Sequence, residues 1–296
     1  MSPQRSIVVT GGASGIGLGI TKHFLNQDNT HVTLLDINAT TGAQTLSQLR
    51  DEFPSASVTF EQCDVSSWES QAAIFEKIYK QQGQIDTVFA NAGITEKGSL
   101  LPSDVDGEGP MKPELATLNV NLIGCIYTVQ LGIYYISKNE VVNGSRGMVV
   151  CTASNAGLYP FPMAPLYATT KHGVVGLVRS LARTLEAKRI RINALAPAVV
   201  GKSSIHRSLL YYALSYIYSQ ALLETNIAPS SDLFKSMILT PMSTVMTAVA
   251  NLMNDPSLSG KVAELHGENV TFAEAPEYVD EDTGRNIENF WNLGYA

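Results

Sequence analysis

Three side chains in the stretch CTASNAGLYPFPMAPLYATTKHGVVGLVRSLAR, residues 151–183, carry chemistry together. Ser154 stands thirteen positions before Tyr167, and Lys171 follows Tyr167 by four. Four residues is about one helical turn, so the phenol and the ammonium project from the same face. A phenol is a poor base near neutrality, since on its own it ionises at about pH 10. A cation held beside it favours the phenolate by opposite charge. A neighbouring hydroxyl such as Ser154 can hold a substrate oxygen against the phenol. The trio suits taking a proton from an alcohol or returning one to a carbonyl. Taken alone, a Tyr-x-x-x-Lys pair on an amphipathic helix is ordinarily packing and solvation, and its weight here comes from the rest of the chain.

The elements around the trio read clearly. Pro165 suits a first helical turn. Val174, Val175, Leu177, Val178 and Leu181 recur at helical spacing, so a helix over 165–187 is expected. Strands are expected at Arg5–Thr10, His31–Asp36, Ser57–Gln62, Ile85–Ala90, Gly147–Thr152, Arg189–Ala196 and Lys261–His266. Helical stretches lie between them, at about 15–27, 39–52, 66–81 and 115–137. Apolar strands alternating with helices predict βαβ units. The expected fold class is therefore α/β: a single-domain, Rossmann-type, doubly wound parallel sheet of about seven strands with helices on both faces. The chain shows no internal repeat, low-complexity segment or interdomain linker. A single domain over 1–267 is expected, with a substrate lid at about 199–238 and a C-terminal tail over 268–296.

Between the first strand and first helix lies Thr10-Gly11-Gly12-Ala13-Ser14-Gly15-Ile16-Gly17. Glycines there let the backbone turn tightly and approach a pyrophosphate, which the helix N-terminus attracts. Gly11, Ala13, Ser14, Gly15, Ile16 and Gly17 are thus candidate cofactor contacts. Asp36 ends the second strand, where its carboxylate can accept from two adenosine ribose hydroxyls and repel a 2′-phosphate. No Arg or Lys stands in the glycine loop or just after Asp36, and NAD rather than NADP is the expected cofactor. Asp64 has two readings: it bonds the adenine amino group, with Val65 on the ring, or it caps the start of the next helix. Asn91, Ala92 and Gly93 follow the fourth strand, at the edge of an open parallel sheet where ligands bind.

Bulk properties narrow the function. The chain has 296 residues, 45% hydrophobic and 16% charged, with a formal charge of −7 and no long basic run. That is the profile of a globular protein with a sizeable core, and it argues against a nucleic-acid partner, which needs clustered Lys and Arg. Cys63, Cys125 and Cys151 are odd in number and far apart; they make no metal-ligand cluster and imply a reducing compartment. No metal is expected. MSPQRSIVVTGG runs directly into a strand-like segment with no secretory signal, so the expected location is cytoplasmic. The uncharged stretch 115–137 has the length of a membrane span. Asn119, Asn121, Gln130 and several hydroxyls interrupt it, and a buried or intersubunit helix is expected instead.

Together these residues resemble the short-chain dehydrogenase/reductase family, of the classical type. Thr10-Gly-x-x-x-Gly15-x-Gly17, Asn91-Ala92-Gly93, Ser154 and Tyr167-x-x-x-Lys171 match its motifs in order and with ordinary gaps, over roughly residues 5–267. The resemblance implies that Tyr167 is the acid/base, that Lys171 holds the nicotinamide ribose and lowers the phenol pKa, and that Ser154 orients the substrate oxygen. It also implies a helix asparagine whose distorted turn supports a proton-relaying water. Asn121, followed by Gly124, fits that pattern better than Asn119. Thr10 and Asn91 are expected to support sheet and cofactor. Within the family, TKHGVVGLVRSLA is similar to the branch containing NAD-linked 15-hydroxyprostaglandin dehydrogenase.

One departure stands after the sixth strand. The family has Pro-Gly and then a Thr near the nicotinamide amide, whereas this chain reads Pro197-Ala198-Val199-Val200-Gly201-Lys202-Ser203. Pro197, Val199 and Val200 remain expected cofactor contacts, with Ser203 or Ser204 in place of the missing hydroxyl.

Residues 204–223 carry Tyr211, Tyr212, Tyr216 and Tyr218 among leucines and isoleucines. They read either as a substrate cover or as an ordinary helix face. As a cover they suit an apolar substrate with a few oxygens. Tyr159 and Phe161 are expected on the opposite wall, so the candidate substrate contacts are Ser154, Tyr159, Phe161, Tyr167, Tyr211 and Tyr212. The helices over 115–137 and 165–187 are the expected interface of a homodimer or homotetramer. The tail either docks on the body or a neighbour, or stays disordered until about Ile287. The expected activity is NAD-dependent oxidation of a secondary alcohol, or reduction of the matching ketone, on a hydrophobic small molecule. The alternatives are an NAD(H)-binding regulator and a biosynthetic reductase or cyclase.

Overall fold

The protein is described from a computed structural model, which describes residues 4–98, 100, 109, 112–200 and 238–292. Its centre is an eight-stranded sheet in the order β3-β2-β1-β4-β5-β6-β7-β8. The strands are β1 (Arg5–Thr10), β2 (Thr30–Asp36), β3 (Ser57–Gln62), β4 (Thr87–Ala90), β5 (Gly147–Thr152), β6 (Ile190–Pro197), β7 (Val262–His266) and β8 (Asn269–Ala273). The first seven pair in parallel, and β8 runs antiparallel to β7. Strand order runs 3-2-1 and then jumps to 4, so the direction of winding reverses between β1 and β4, where Val8 pairs with Val88.

The described helices are α1 (Gly15–Leu25), α2 (Ala39–Glu52), α3 (Trp68–Gln82), α4 (Ala116–Ile136), α5 (Pro165–Ala187), α6 (Met242–Asn254) and α7 (Glu281–Asn292). Their starts follow from local chemistry. Asn38 accepts from the Thr41 N–H at 3.0 Å to cap α2, and Ser67 accepts from Ser70 N–H at 3.1 Å to cap α3. One face of the sheet is covered by α3, α4 and α5 through Phe75, Ile78, Val129, Ile136, Val174 and Val178. The other is covered by α1, α2 and α6 through Ile20, Phe24, Leu49, Val245 and Val249. With both faces covered, the central strands need continuous apolar runs, which is why Ile7-Val8-Val9 and Met148-Val149-Val150 are wholly or almost wholly buried.

Helix α4 is long and apolar enough, at 21 residues, to cross a membrane. Its Val129 and Ile136 lie in the core against Val88 and Val149 of the sheet, as the composition predicts for a buried helix. The helix is not uniform: Asn119–Ile123 forms a π turn between two α-helical parts.

The strands differ from the sequence expectation at some ends and in number. The second begins at Thr30, not His31, the fourth at Thr87, not Ile85, and the seventh at Val262, not Lys261, while the sixth is Ile190–Pro197, one residue on. The sheet also has an eighth strand within residues 268–296, the expected tail. The β8 pattern Asn-Val-Thr-Phe-Ala alternates, but five residues between acidic segments give little signal. A single Gly267, at φ +55°, makes the hairpin turn that brings it onto β7. Arg179 on α5 holds the strand's end, donating to Ala273 O at 3.2 Å and Glu274 O at 2.9 Å. Farther on, Arg183 of α5 pairs with Glu288 at 2.7 Å and lies over the Trp291 ring, so α7 touches the body near its end while none of its residues is buried.

Arg179→Ala should therefore loosen the sheet edge first. The expected loss is about 1 kcal/mol of stability. Amide exchange should quicken in Asn269–Ala273 while the central strand Arg5–Thr10 stays protected, as hydrogen exchange followed by mass spectrometry would read.

Candidate active site

The carboxyl ends of β1, β4 and β5 are tied together at the point where the winding reverses. Thr10 Oγ1 donates to Phe89 O at 3.2 Å and accepts from the Asn91 and Ala92 N–H groups at 2.9 and 3.0 Å. Asn91 Nδ2 donates to Thr10 O at 3.1 Å, and its Oδ1 accepts from Thr152 Oγ1 at 3.0 Å. A crevice outside the carboxyl ends of such strands is where an open parallel sheet binds ligands.

The glycine turn folds tightly against this knot. Gly11 has φ +62°, and a Cβ there would lie 2.9 Å from the Ala92 Cα; one on Gly17 would lie 2.1 Å from Gly11 O. Gly15, at φ +52°, faces open space instead, with nothing within 4 Å of an added Cβ. Ser14, the residue that opens α1, makes no side-chain cap hydrogen bond, unlike Asn38 and Ser67 on the next two helices. The leading N–H groups of α1, Ile16 and Gly17 among them, thus lack a side-chain acceptor. With the helix dipole they suit an anionic group beside Gly15. Asp36 is fixed next to that turn: Oδ2 accepts from Ala13 N–H at 3.3 Å and Oδ1 from Asn38 N–H at 3.1 Å. An ionised carboxylate has further lone pairs free for two hydroxyls. These features fit a dinucleotide.

Asp64 does not cap the helix itself, a place Ser67 takes; its Oδ1 accepts from Ser66 N–H at 2.9 Å and Ser66 Oγ at 2.7 Å in the turn just before α3. Val65 is buried, and its main-chain oxygen is held by Gln71 at 2.6 Å.

Gly93, Asn121 and Lys171 converge. A Cβ on Gly93 would lie 3.3 Å from Asn121 Oδ1 and 3.7 Å from Lys171 Nζ. Asn121 sits inside the π turn, buried, and exchanges two 2.8 Å hydrogen bonds with the main chain of Ile94. The distorted turn expected at this asparagine is present. Lys171 is 3% exposed. Its Nζ donates to Thr152 O at 2.7 Å and lies 5.5 Å from the centre of the Tyr167 ring. Burial lowers its pKa to about 8, offset in part by the sulfur atoms of Cys125 and Cys151.

Ser154 starts a 3-10 turn, Asn155–Gly157, whose Gly157 packs so closely that a Cβ would lie 2.6 Å from Lys171 O. Ser154 Oγ accepts from Ala156 N–H at 3.2 Å and stands 3.4 Å from Pro197 O. The turn thus sets Ser154 against the helix that carries Tyr167 and Lys171. Phe161 is near as well, its ring centre 6.4 Å from that of Tyr167. Tyr159 is exposed and its hydroxyl donates to Glu264 Oε2 at 3.2 Å.

After β6, Ala198 N–H donates to Leu265 O at 2.9 Å, and Val199 O accepts from Thr240 N–H at 2.8 Å, with Val200 bridged to Thr240. Ala198 is not among the residues with positive φ, so an alanine in place of glycine carries no backbone strain. Tyr211, Tyr212, Ser203 and Ser204, with most of the expected lid, lie outside the described residues. Two supports were not visible in the sequence. Thr152 holds Lys171 by its carbonyl, a group every residue has. Thr240 is wholly buried beside the Val199 strand extension, and no motif marks it.

A dinucleotide crevice beside a lysine-supported phenol defines the class: an oxidoreductase that works with a nicotinamide cofactor. The chain belongs to the short-chain dehydrogenase/reductase family, whose model, described as short chain dehydrogenase, matches residues 5–209. It is 34% identical over 190 residues to the short-chain dehydrogenase/reductase prx7 of Penicillium rubens, covering 62% of this chain and 65% of that one. It is 32% identical over 195 residues to the human 15-hydroxyprostaglandin dehydrogenase (NAD(+)), covering 65% and 67%. The matches to prx7 and to ascJ of Acremonium egyptiacum span less than two thirds of those relatives' own length, 65% and 63%. Among solved structures, levodione reductase superposes with a TM-score of 0.68 at 26% identity over 90% of this chain and 97% of that one. An actinorhodin polyketide ketoreductase with NADPH shares the fold, with a TM-score of 0.73 at 22% identity over 90% and 98%.

The buried lysine sets an expected pH dependence. Its ammonium is present below about pH 8 and neutral above it, so the field favouring the Tyr167 phenolate fades as pH rises through that value. Because kcat/KM reports groups of the free enzyme, it should turn down on the alkaline side near pH 8. In Lys171→Arg, whose guanidinium stays charged, whatever activity remains should lack that limb.

Proposed function

We propose that this protein is an NAD-dependent oxidoreductase that oxidises a secondary alcohol, or reduces the matching ketone, on a hydrophobic small molecule. The observation that carries the reading is the buried ammonium of Lys171, held 5.5 Å from the Tyr167 ring at the edge where a dinucleotide fits. A protein that only bound the cofactor would gain nothing from burying that charge, which weighs against a regulator with little turnover.

Gly11–Gly17, Asp36, Asn91–Gly93, Pro197, Val199 and Val200 would hold NAD, which would supply the acceptor for the hydride of the carbinol carbon. The chain's own groups do the rest. Ser154 holds the substrate oxygen, and Tyr167 as phenolate takes the hydroxyl proton. Lys171 stabilises that phenolate as charge develops. One of its three N–H donors is spent on Thr152 O, which leaves two for the cofactor side. The proton then moves on through Lys171 toward a water at the π turn of Asn121. Tyr167→Phe should keep cofactor affinity and lower kcat by a factor of about 10² or more, measured by steady-state kinetics; equal activity would end the assignment.

Support for NAD over NADP comes from Asp36, whose carboxylate is locked beside Ala13 where it would meet a 2′-phosphate. The name of the human relative points the same way. The test is a fluorescence titration with NADH and NADPH, with Asp36→Ala as control. Tight NADH, weak NADPH and lost discrimination in the control are expected, and a panel of hydrophobic secondary alcohols with NAD would follow. Tighter NADPH would make a biosynthetic ketoreductase the leading reading. The remaining partners belong to the same proposal: no nucleic acid, given the net charge of −7, a cytoplasmic setting, and a homodimer or homotetramer through α4 and α5. The exposed Ile123, Ile126 and Tyr134 on α4 support that interface.

A further inference from the structure

The segment after Asn91-Ala92-Gly93 is gripped by α4. Ile94 exchanges its two hydrogen bonds with Asn121. Thr117 Oγ1 donates to Thr95 O at 3.1 Å and accepts from Lys97 N–H at 2.9 Å. Between these two clamps stands Glu96, a carboxylate only 9% exposed. It reaches α5: Oε1 accepts from Leu166 N–H at 3.0 Å and Oε2 from Tyr167 N–H at 2.6 Å.

The start of α5 shows what this contact does. A helix leaves its first N–H groups without partners. Ala164, which precedes the helix, offers no side-chain acceptor. Pro165 has no N–H, and Ala168 N–H donates to Ala164 O at 2.9 Å. Leu166 and Tyr167 are the two donors left, and both go to Glu96. A carboxylate is the favoured group at a helix N-terminus, and hydrogen bonds to it are short and strong. A Ser or Asp at position 164 would satisfy the helix from within. Glu96 instead satisfies it from 70 and 71 residues away in the chain, from a segment that Asn121 and Thr117 hold.

We propose that Glu96 is a positioning residue for the reaction: it ties the backbone of Tyr167 to the segment clamped by Asn121 and so fixes the phenol relative to the dinucleotide edge. The proposal rests on the reading of Tyr167 as the acid/base. The rival view is that Glu96 merely caps a helix and contributes stability alone.

Glu96→Gln separates the two. It keeps the size and one acceptor oxygen but loses the charge and the second acceptor. Ser67→Ala, which removes the cap of α3, is the control for a cap lost outside the site. Amide exchange at Leu166 and Tyr167, read by NMR without any substrate, should rise about tenfold in Glu96→Gln and stay unchanged in Ser67→Ala. With the fastest alcohol of the panel, kcat should fall about tenfold to a hundredfold in Glu96→Gln, as a misplaced catalytic group costs. The KM for NAD should stay within about twofold, because the glycine turn is untouched. Ser67→Ala should lower Tm without changing kcat. Unchanged exchange would overturn the proposal, and so would faster exchange with kcat within about twofold of wild type. If Tyr167→Phe proves fully active, or no alcohol turns over, the failure belongs to the functional reading, and the exchange result still decides whether Glu96 holds Tyr167.

Discussion

An ammonium buried to 3% exposure is an expensive thing to hold, and much of the site is arranged around the one on Lys171. Out of water the charged form is disfavoured, which is what lowers its pKa to about 8. A single carbonyl, Thr152 O at 2.7 Å, receives one of its three protons. That carbonyl can be there only because β5 ends at Thr152, beside the Asn91 side chain that locks β4 to β1. The strand ends, the lysine and the phenol are therefore one mechanical unit. A shift of any strand end would leave the charge without its acceptor, at the cost of an unsatisfied buried ion.

The same reversal of winding that brings β1 next to β4 also makes room for an anion. Helices α2 and α3 have ordinary side-chain caps in Asn38 and Ser67. Helix α1 differs from these two: its opening serine makes no cap bond, and Gly15, the first residue of the helix, looks onto open space. Leaving N–H groups without partners costs stability in isolation. A bound anion would offset that cost, and on the proposed reading Asp36, fixed beside the same turn, is the group that favours NAD over NADP.

Much of this was legible in the sequence because it depends on identity at fixed spacing. Tyr167 and Lys171 need one helical turn, and the glycines need a strand before them and a helix after. The apolar strands need helices on both sides, and so the sheet was legible as well. The illegible parts are of three kinds. Some depend on main-chain groups: Thr152 matters through its carbonyl, and no residue type announces that. Some depend on short elements, as with β8, which is five residues long and is placed by one left-handed glycine at 267. Others depend on pairing across the chain. Glu96 meets the Leu166 and Tyr167 N–H groups from 70 and 71 residues away, and no local pattern marks that contact. The bond from the Tyr159 hydroxyl to Glu264, 105 residues on, is likewise visible only in the fold.

The departure at Ala198 shows why a motif residue and its physical reason must be kept apart. A glycine is required where φ is positive or another backbone comes close. Ala198 meets neither demand: its φ is not left-handed, and its N–H continues the sheet by donating to Leu265 O. Val199 and Val200 extend that continuation by pairing with Thr240. The backbone just past β6 is thus held on both sides, by Leu265 and by Thr240. Alanine and two β-branched residues suit the extended backbone that these bonds require, so the position needs no glycine.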